Sequence, residues 1–459
     1  MTARPRVPAA RTGSTTTSVK GAATSLRPVW RNWARNQRTT ARQVARPASR
    51  DELVAAVRGA RVDGLTLKPV GNGHSFTPIA ATDGVRLVLD TYDSVLAVDQ
   101  DRMTVRVQAG ISLHQLNAVL AEHGLGLSNL GDIDGQTISG AISTGTHGTG
   151  ARFGGLATFV EELEIVTGLG EVIRCSEASE PEAFAAARVG LGALGVISEV
   201  TLRCERAFHL HCDERPVPLP TVLAEMDELA AANEHFEFWW LPHTDMTLTK
   251  RLNRLDESEQ PRPLSTVRSW WEDSVLENSG MAAAGRVGRR VPRLVPQINR
   301  AISRMVSPRV YSDRSDRVFC SPRRVRFTEL EHAVPRAQAR RALTAIQDVI
   351  TRLDVRTTMP VEVRFTAADD TWLSHSYGRD SVYLAVHQPI GMENEPYFRA
   401  VDEALADLGG RPHWGKLHYA DVTTLAERYP KFSNFLAVRD RLDPERVFAN
   451  SYLERVLGP

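Results

Sequence analysis

A chain of 459 residues exceeds what one hydrophobic core normally supports, so two domains are expected, and 42% apolar with 24% charged residues is ordinary for a soluble globular protein. A net charge of +1 excludes a general attraction to nucleic acid or to membranes. Cys175, Cys204, Cys212 and Cys320 show no Cys-x-x-Cys spacing, so no metal site and no disulfide framework are indicated, and a reducing cytoplasm is the expected compartment.

Charge is uneven along the chain. Residues 1–50 hold eleven Arg or Lys and no acidic residue. Residues 1–28, with Pro5, Pro8 and Thr15-Thr16-Thr17, lack apolar periodicity and read as a disordered basic tail rather than a transit peptide. No apolar run is long enough to span a bilayer.

Beyond the tail, Asp51 to Val57 has helical spacing and opens with a capping acid, and Leu65 to Val70 then reads as a strand. Val85–Leu89, Val95–Val98 and Met103–Val107 alternate as strands, and Leu113–Glu122 is an amphipathic helix. Leu163–Thr167 meets Glu171–Arg174 across the turn Gly168-Leu169-Gly170. The class is α+β.

Three loops interrupt these elements. Gly71-Asn72-Gly73-His74-Ser75 follows the strand ending at Val70; Gly131-Asp132-Ile133-Asp134-Gly135-Gln136-Thr137-Ile138-Ser139-Gly140 comes about sixty residues later; Gly145-Thr146-His147-Gly148 follows Ser143 and Thr144. Glycine and small hydroxyl residues let backbone N–H groups close on a diphosphate. Glycine in a turn is by itself more often a matter of backbone geometry, but three such loops in order favour a dinucleotide.

Gly190-Leu191-Gly192-Ala193-Leu194-Gly195 imitates a nicotinamide fingerprint. That fingerprint needs a strand before it and a helix after it. Here a helix from Pro181 to Arg188 precedes and a strand from Val196 to Leu202 follows, so nicotinamide binding is rejected.

A new element begins after Arg206, and the middle of the chain reads as a second domain. Its stretch 256–316 is irregular, broken by five prolines, with Arg286, Arg289, Arg290, Arg293, Arg300 and Arg304 set among Val287, Val291, Leu294, Val295 and Ile298. Such a basic amphipathic stretch is more often a solvated helix face than a membrane or partner contact.

In Val361–Phe365 the strand period sets Glu362 and Arg364 on one face, against Val361, Val363 and Phe365 on the other. In Val382–His387 the same alternation puts His387 with Tyr383 and Ala385. Trp414, Lys416 and His418 share a face of Arg411–His418, and near the end Asp443 is placed to cap a helix with Pro444 in its first position.

These loops and segments resemble the flavoproteins of the vanillyl-alcohol oxidase type, and within them the sugar-1,4-lactone oxidases and dehydrogenases, with the alditol oxidases next. The resemblance runs from residue 29 to 459 and is weakest over 256–316. It implies an FAD-binding domain of the PCMH type at 29–206, a substrate (cap) domain at 207–400, and a C-terminal segment at 401–459 that completes the active site and packs back on the first domain. By resemblance His74 carries FAD through the flavin 8α-methyl group. Gly71, Asn72, Gly73, Ser75, Gly131, Asp132, Thr137, Ile138, Ser139, Gly140, Ser143, Thr144, His147, Gly148, Gly195 and Ile197 are then cofactor contacts, with His147 read as packing the loop. Glu362, Arg364, His387 and Lys416 are the implied catalytic set: Arg364 and Lys416 supply positive charge, Glu362 and His387 hold substrate hydroxyls, and either of these two accepts the proton.

The implied reaction is oxidation of an aldono-1,4-lactone (gulono-, galactono- or arabinono-) at the hydroxyl carbon next to the carbonyl, with electrons passing to oxygen or to a cytochrome. An alditol oxidase and a flavin-free binding protein of the same fold are the alternatives. In related dehydrogenases that react poorly with oxygen, an alanine stands at the place of Gly131, which implies measurable peroxide production here. Gly131 as a turn residue needing positive φ is the competing reading.

Overall fold

The computed structural model describes residues 29–265, 280–321 and 324–459; the basic tail 1–28 and part of the irregular stretch lie outside them. The helix Arg50–Val62 begins as the spacing predicts, but its cap is Ser49, whose hydroxyl accepts from the Glu52 N–H; Asp51 sits inside the first turn. A capping box at Ser112 and Gln115 opens the helix Leu113–Glu122.

Two larger sheets, beside two short two-stranded ones, build the first half. Gln43–Ala45, Val85–Val88 and Leu67–Val70 form a parallel three-stranded sheet, with Val85–Val88 in the middle. The second is antiparallel, in the order Val172–Ser176, Val160–Val166, Val196–Arg203, Thr104–Gln108, Val95–Asp99. The helix Pro181–Ala187 precedes the Gly190–Gly195 run and the strand Val196–Arg203 follows it, which is the order that rules out the nicotinamide fingerprint. Leu53, Val57, Leu116 and Leu163 are buried in one core that these elements share.

His209–Pro218 starts an antiparallel sheet of eight strands, ordered Arg309–Arg314, His209–Pro218, Met246–Arg254, His235–Trp240, Val361–Thr366, Ser381–Pro389, Phe327–Pro335 and Arg411–Pro412. The helices Leu219–Ala232, Ala339–Arg352 and Glu395–Ala406 cover one face. Val361, Val363, Phe365, Val382, Leu384 and Val386 point into this second core, each worth about 1.5–3 kcal/mol as a buried side chain. Their alternate neighbours must therefore face the other way, and it is this polar face that carries the site.

The last part of the chain returns to the first half. Phe432, Phe435, Val438, Phe448 and Tyr452 join the first core, and the Leu67 N–H donates to Val447 O. The expected helix at Asp443 is absent. The Asp443 carboxylate instead accepts from the Val447 and Phe448 N–H groups across a turn, and the helix Ser451–Leu457 is capped by Asn450. Pro444 can begin a helix, but the carboxylate offers this backbone a competing local hydrogen bond.

Candidate active site

The first two glycine loops are held together. A Cβ on Gly71 would collide with Thr137 Oγ1, so glycine lets the Thr137 side chain pack against the first loop. The Asn72 side-chain amide donates to Gly135 O at 2.6 Å, and Gly73 has φ +71. This aims His74 at a large cavity, with its ring stacked on Trp33 at 5.9 Å. Burial, aided by the Lys416 charge and only partly opposed by Asp134, lowers the His74 pKa to about 4, so its imidazole is neutral at pH 7.

The cavity, about 1520 Å³, runs between these loops and the polar face of the eight-stranded sheet. Ser75, Gly131, Asp132, Thr144 and His147 line it from the first half; Glu362, Arg364, His387 and Lys416 line it from the second. All four expected catalytic residues thus converge. Asn72 and Thr137 brace the loops from behind. Ser139, on the short helix Ile138–Ser143, donates its hydroxyl to Ala109 O, and Gly140 accepts from Thr144 Oγ1. Gly148 packs against Asn129 and Leu130, and Gly195 and Ile197 fit against the strand Val160–Val166.

Arg364 is the hub of an ionic cluster. Its guanidinium lies 2.7 Å from Asp132, 2.8 Å from Glu237 and 2.5 Å from Glu362. Its charge is therefore already engaged by three carboxylates. The contact with Glu362 is close but lacks hydrogen-bond geometry: Glu362 Oε1 has no hydrogen-bond partner among the described residues. Burial raises the Glu362 pKa to about 7; Arg364 opposes the rise, and Asp132 and Glu237 add to it.

His387 is held as a donor. Its Nδ1 lies 2.9 Å from Pro360 O, which only accepts, and its Nε2 faces Glu329 at 3.6 Å. Burial disfavours its charge, but Glu329 outweighs burial and raises its pKa. Glu329 also holds Lys416 Nζ at 2.5 Å. Burial opposes the charge of Glu329 too, yet Lys416 and His387 keep its pKa below the usual carboxylate range.

Glu237, Glu329, Glu331 and His413 escaped the sequence reading. Glu329 and Glu331 alternate with Thr328, Leu330 and His332 in the strand Phe327–Pro335, a pattern that a solvated strand face shares. Only the covering of that face marks them as part of a site. Glu331 lies 3.4 Å from His147 Nε2, and His147 stacks on Tyr383 with centroids 3.6 Å apart. His147 thus packs its loop as expected, while its ring also forms cavity wall.

The expected common face of Trp414, Lys416 and His418 does not exist. The chain turns after Pro412, with the Lys416 N–H donating to His413 O. Trp414 is buried on Tyr429, Lys416 enters the cavity, and His418 bonds Tyr452. Alternation holds only while a strand continues, and here the strand ends at Pro412, before any of the three residues.

Gly131 does not have positive φ, which overturns its reading as a turn glycine. A Cβ there would lie 3.1 Å from His147 O and 3.6 Å from Thr146 Cγ2.

The family model of D-arabinono-1,4-lactone oxidase matches residues 200–456, and that of an FAD binding domain matches residues 41–176. The chain belongs to the D-arabinono-1,4-lactone oxidase family. A fellow member, the L-gulono-1,4-lactone dehydrogenase of Mycobacterium tuberculosis, is 45% identical over 95% of this chain and 100% of its own length. L-gulonolactone oxidase of Bos taurus is 35% identical over 93% and 98% of the two chains, and the alditol oxidase of a Streptomyces species 32% over the same shares. A variant of cholesterol oxidase from Brevibacterium sterolicum superposes with a TM-score of 0.78 at 17% identity, covering 94% of this chain and 96% of that one, which bears on the fold alone. The lactone oxidase family member described here is a flavoprotein oxidoreductase of the expected two-part fold, and FAD is its cofactor.

Proposed function

We propose that this protein oxidises an aldono-1,4-lactone at the hydroxyl carbon next to the carbonyl, with FAD bound covalently at His74. The observation that carries the reading is the convergence of Glu362, Arg364, His387 and Lys416 on the one cavity that His74 also lines. FAD bound there supplies the hydride acceptor, flavin N5. Residues 29–206 hold the cofactor, and 207–400 with 401–459 close over it. Glu362 accepts the hydroxyl proton, because both ring nitrogens of His387 already face acceptors. Lys416, paired with Glu329, faces the cavity and stabilises negative charge that develops during the transfer, and His387 fixes Glu329 from the other side.

Turnover of gulono-, galactono- and arabinono-1,4-lactone with a dye acceptor, compared with xylitol and sorbitol, tests the substrate class. Lactones should be preferred; a preference for the polyols would make this an alditol oxidase.

Attachment is tested separately. The parent protein should keep its yellow colour in the pellet after acid precipitation, and His74→Ala should release it. The neutral imidazole offers a free nitrogen lone pair for this bond; the methyl C–H would lose its proton, its two electrons would stay on the flavin, and oxygen would reoxidise the reduced adduct. Acid-stable flavin in the variant would refute the assignment.

Oxygen is the proposed acceptor, since Gly131 lines the cavity with no side chain of its own. Gly131→Ala should lower the rate at which air reoxidises the reduced flavin, with reduction by lactone largely kept, because the new methyl needs only a few tenths of an ångström from His147 O. Equal reoxidation rates in the two proteins would remove this gate, and the acceptor would then be sought among cytochromes.

A further inference from the structure

The helices Met281–Arg290 and Val295–Met305, joined by the turn at Pro292–Leu294, form one wall of the cavity. Met281, Ala284, Ile298 and Ile302 face inward and line it. Asn299, fully buried, donates to Pro242 O and Thr357 O, and Gly288 packs against Val295, so the pair is fixed to the body of the protein. Its outer side has a different character. Residues 280–312 contain seven arginines and no acidic residue. Arg286, Arg290 and Arg293 are exposed and form no ion pair among the described residues. Beside them Val287, Val291 and Leu294 are each more than two-fifths exposed, and Met305 at the cavity mouth is 72% exposed.

A solvated helix face would carry acids among its bases and few large apolar groups. Arginines without acids, interleaved with exposed valine and leucine on a rigid support, complement an anionic interface that also accepts apolar side chains. With a net charge of +1 for the whole chain, the attraction is local to this face. We propose that this helix pair docks the enzyme on the surface of a bilayer rich in anionic lipid, with the cavity entrance beside the membrane. No helix among the described residues is long and apolar enough to cross a membrane, so the contact is peripheral.

Sedimentation of the flavin-loaded full chain with vesicles tests this. The parent should sediment with vesicles of phosphatidylglycerol and phosphatidylcholine in equal parts, stay in solution with phosphatidylcholine alone, and release as salt rises. Each arginine facing an anionic surface changes partitioning about fivefold, so the triple variant Arg286→Glu, Arg290→Glu, Arg293→Glu should lose at least about tenfold. Its turnover with a soluble dye should stay at the parent value, which shows that it is folded. Val291→Asp with Leu294→Asp should weaken binding through the apolar component. Equal binding by the parent and the triple variant would place the contact on the basic N-terminal residues and overturn the proposal. So would equal binding to neutral vesicles, or none at low salt.

Discussion

Glu362→Gln is expected to slow reduction of the flavin by lactone by about 10²–10⁴-fold, the usual contribution of a positioned base. The side chain sits in a strand whose alternate residues are locked into the second core, so its position follows from Val361, Val363 and Phe365. Burial raises its pKa to about 7 against the pull of Arg364. As a base it must be ionised, so the parent rate should rise with pH through about 7 and then level, and the variant should lose this limb. Stability should respond in the opposite sense. The folded-state pKa lies above the ordinary value of 4.5, so the stabilising contribution of the protonated group is complete below about 4.5 and is lost as pH rises through about 7. Glutamine imitates the protonated carboxyl, and at pH 8 the variant should melt no lower than the parent. Stopped-flow reduction across pH decides the matter; a variant with the parent rate and the parent pH profile would remove Glu362 from the mechanism.

Arg364→Ala should destabilise the fold by about 3–5 kcal/mol, the cost of stripping the partner from a buried ion cluster. By resemblance, Arg364 supplies positive charge to the reduced flavin, which implies an effect on rate exceeding that on stability. The geometry adds a structural role, because the guanidinium joins Asp132, Glu237 and Glu362. Alanine leaves three acids crowded in a buried site. Arg364→Lys should recover only part of the loss, since an ammonium cannot reproduce the planar fork that reaches several partners. Denaturant unfolding of the parent and both variants measures this directly. A parent-like midpoint for Arg364→Ala would mean that the cluster is not held together by its cation.

Strand alternation put Glu362 and Arg364 on one face and His387 on the matching face of its neighbour, because side-chain direction in a strand is a local property. The partners of Arg364 are not local: Asp132 arrives from a loop in the first half and Glu237 from the adjacent strand. Glu329 shows a further limit, since its strand alternates correctly but says nothing about which face is covered. Lys416 was found through resemblance, and its place depends on a turn that periodicity alone assigns to a strand. Ser49, not Asp51, caps the first helix, as both residue types suit that position.

On the proposed function, a lactone delivers hydride from the carbon next to its carbonyl to the flavin in this cavity. Anaerobic mixing of the oxidised holoenzyme with L-gulono-1,4-lactone, unlabelled or carrying deuterium at that carbon, measures this step in a single turnover. The lactone should bleach the flavin band, several-fold more slowly when deuterated; bleaching at the same rate with both substrates, or none with any aldonolactone, would rule out this hydride transfer.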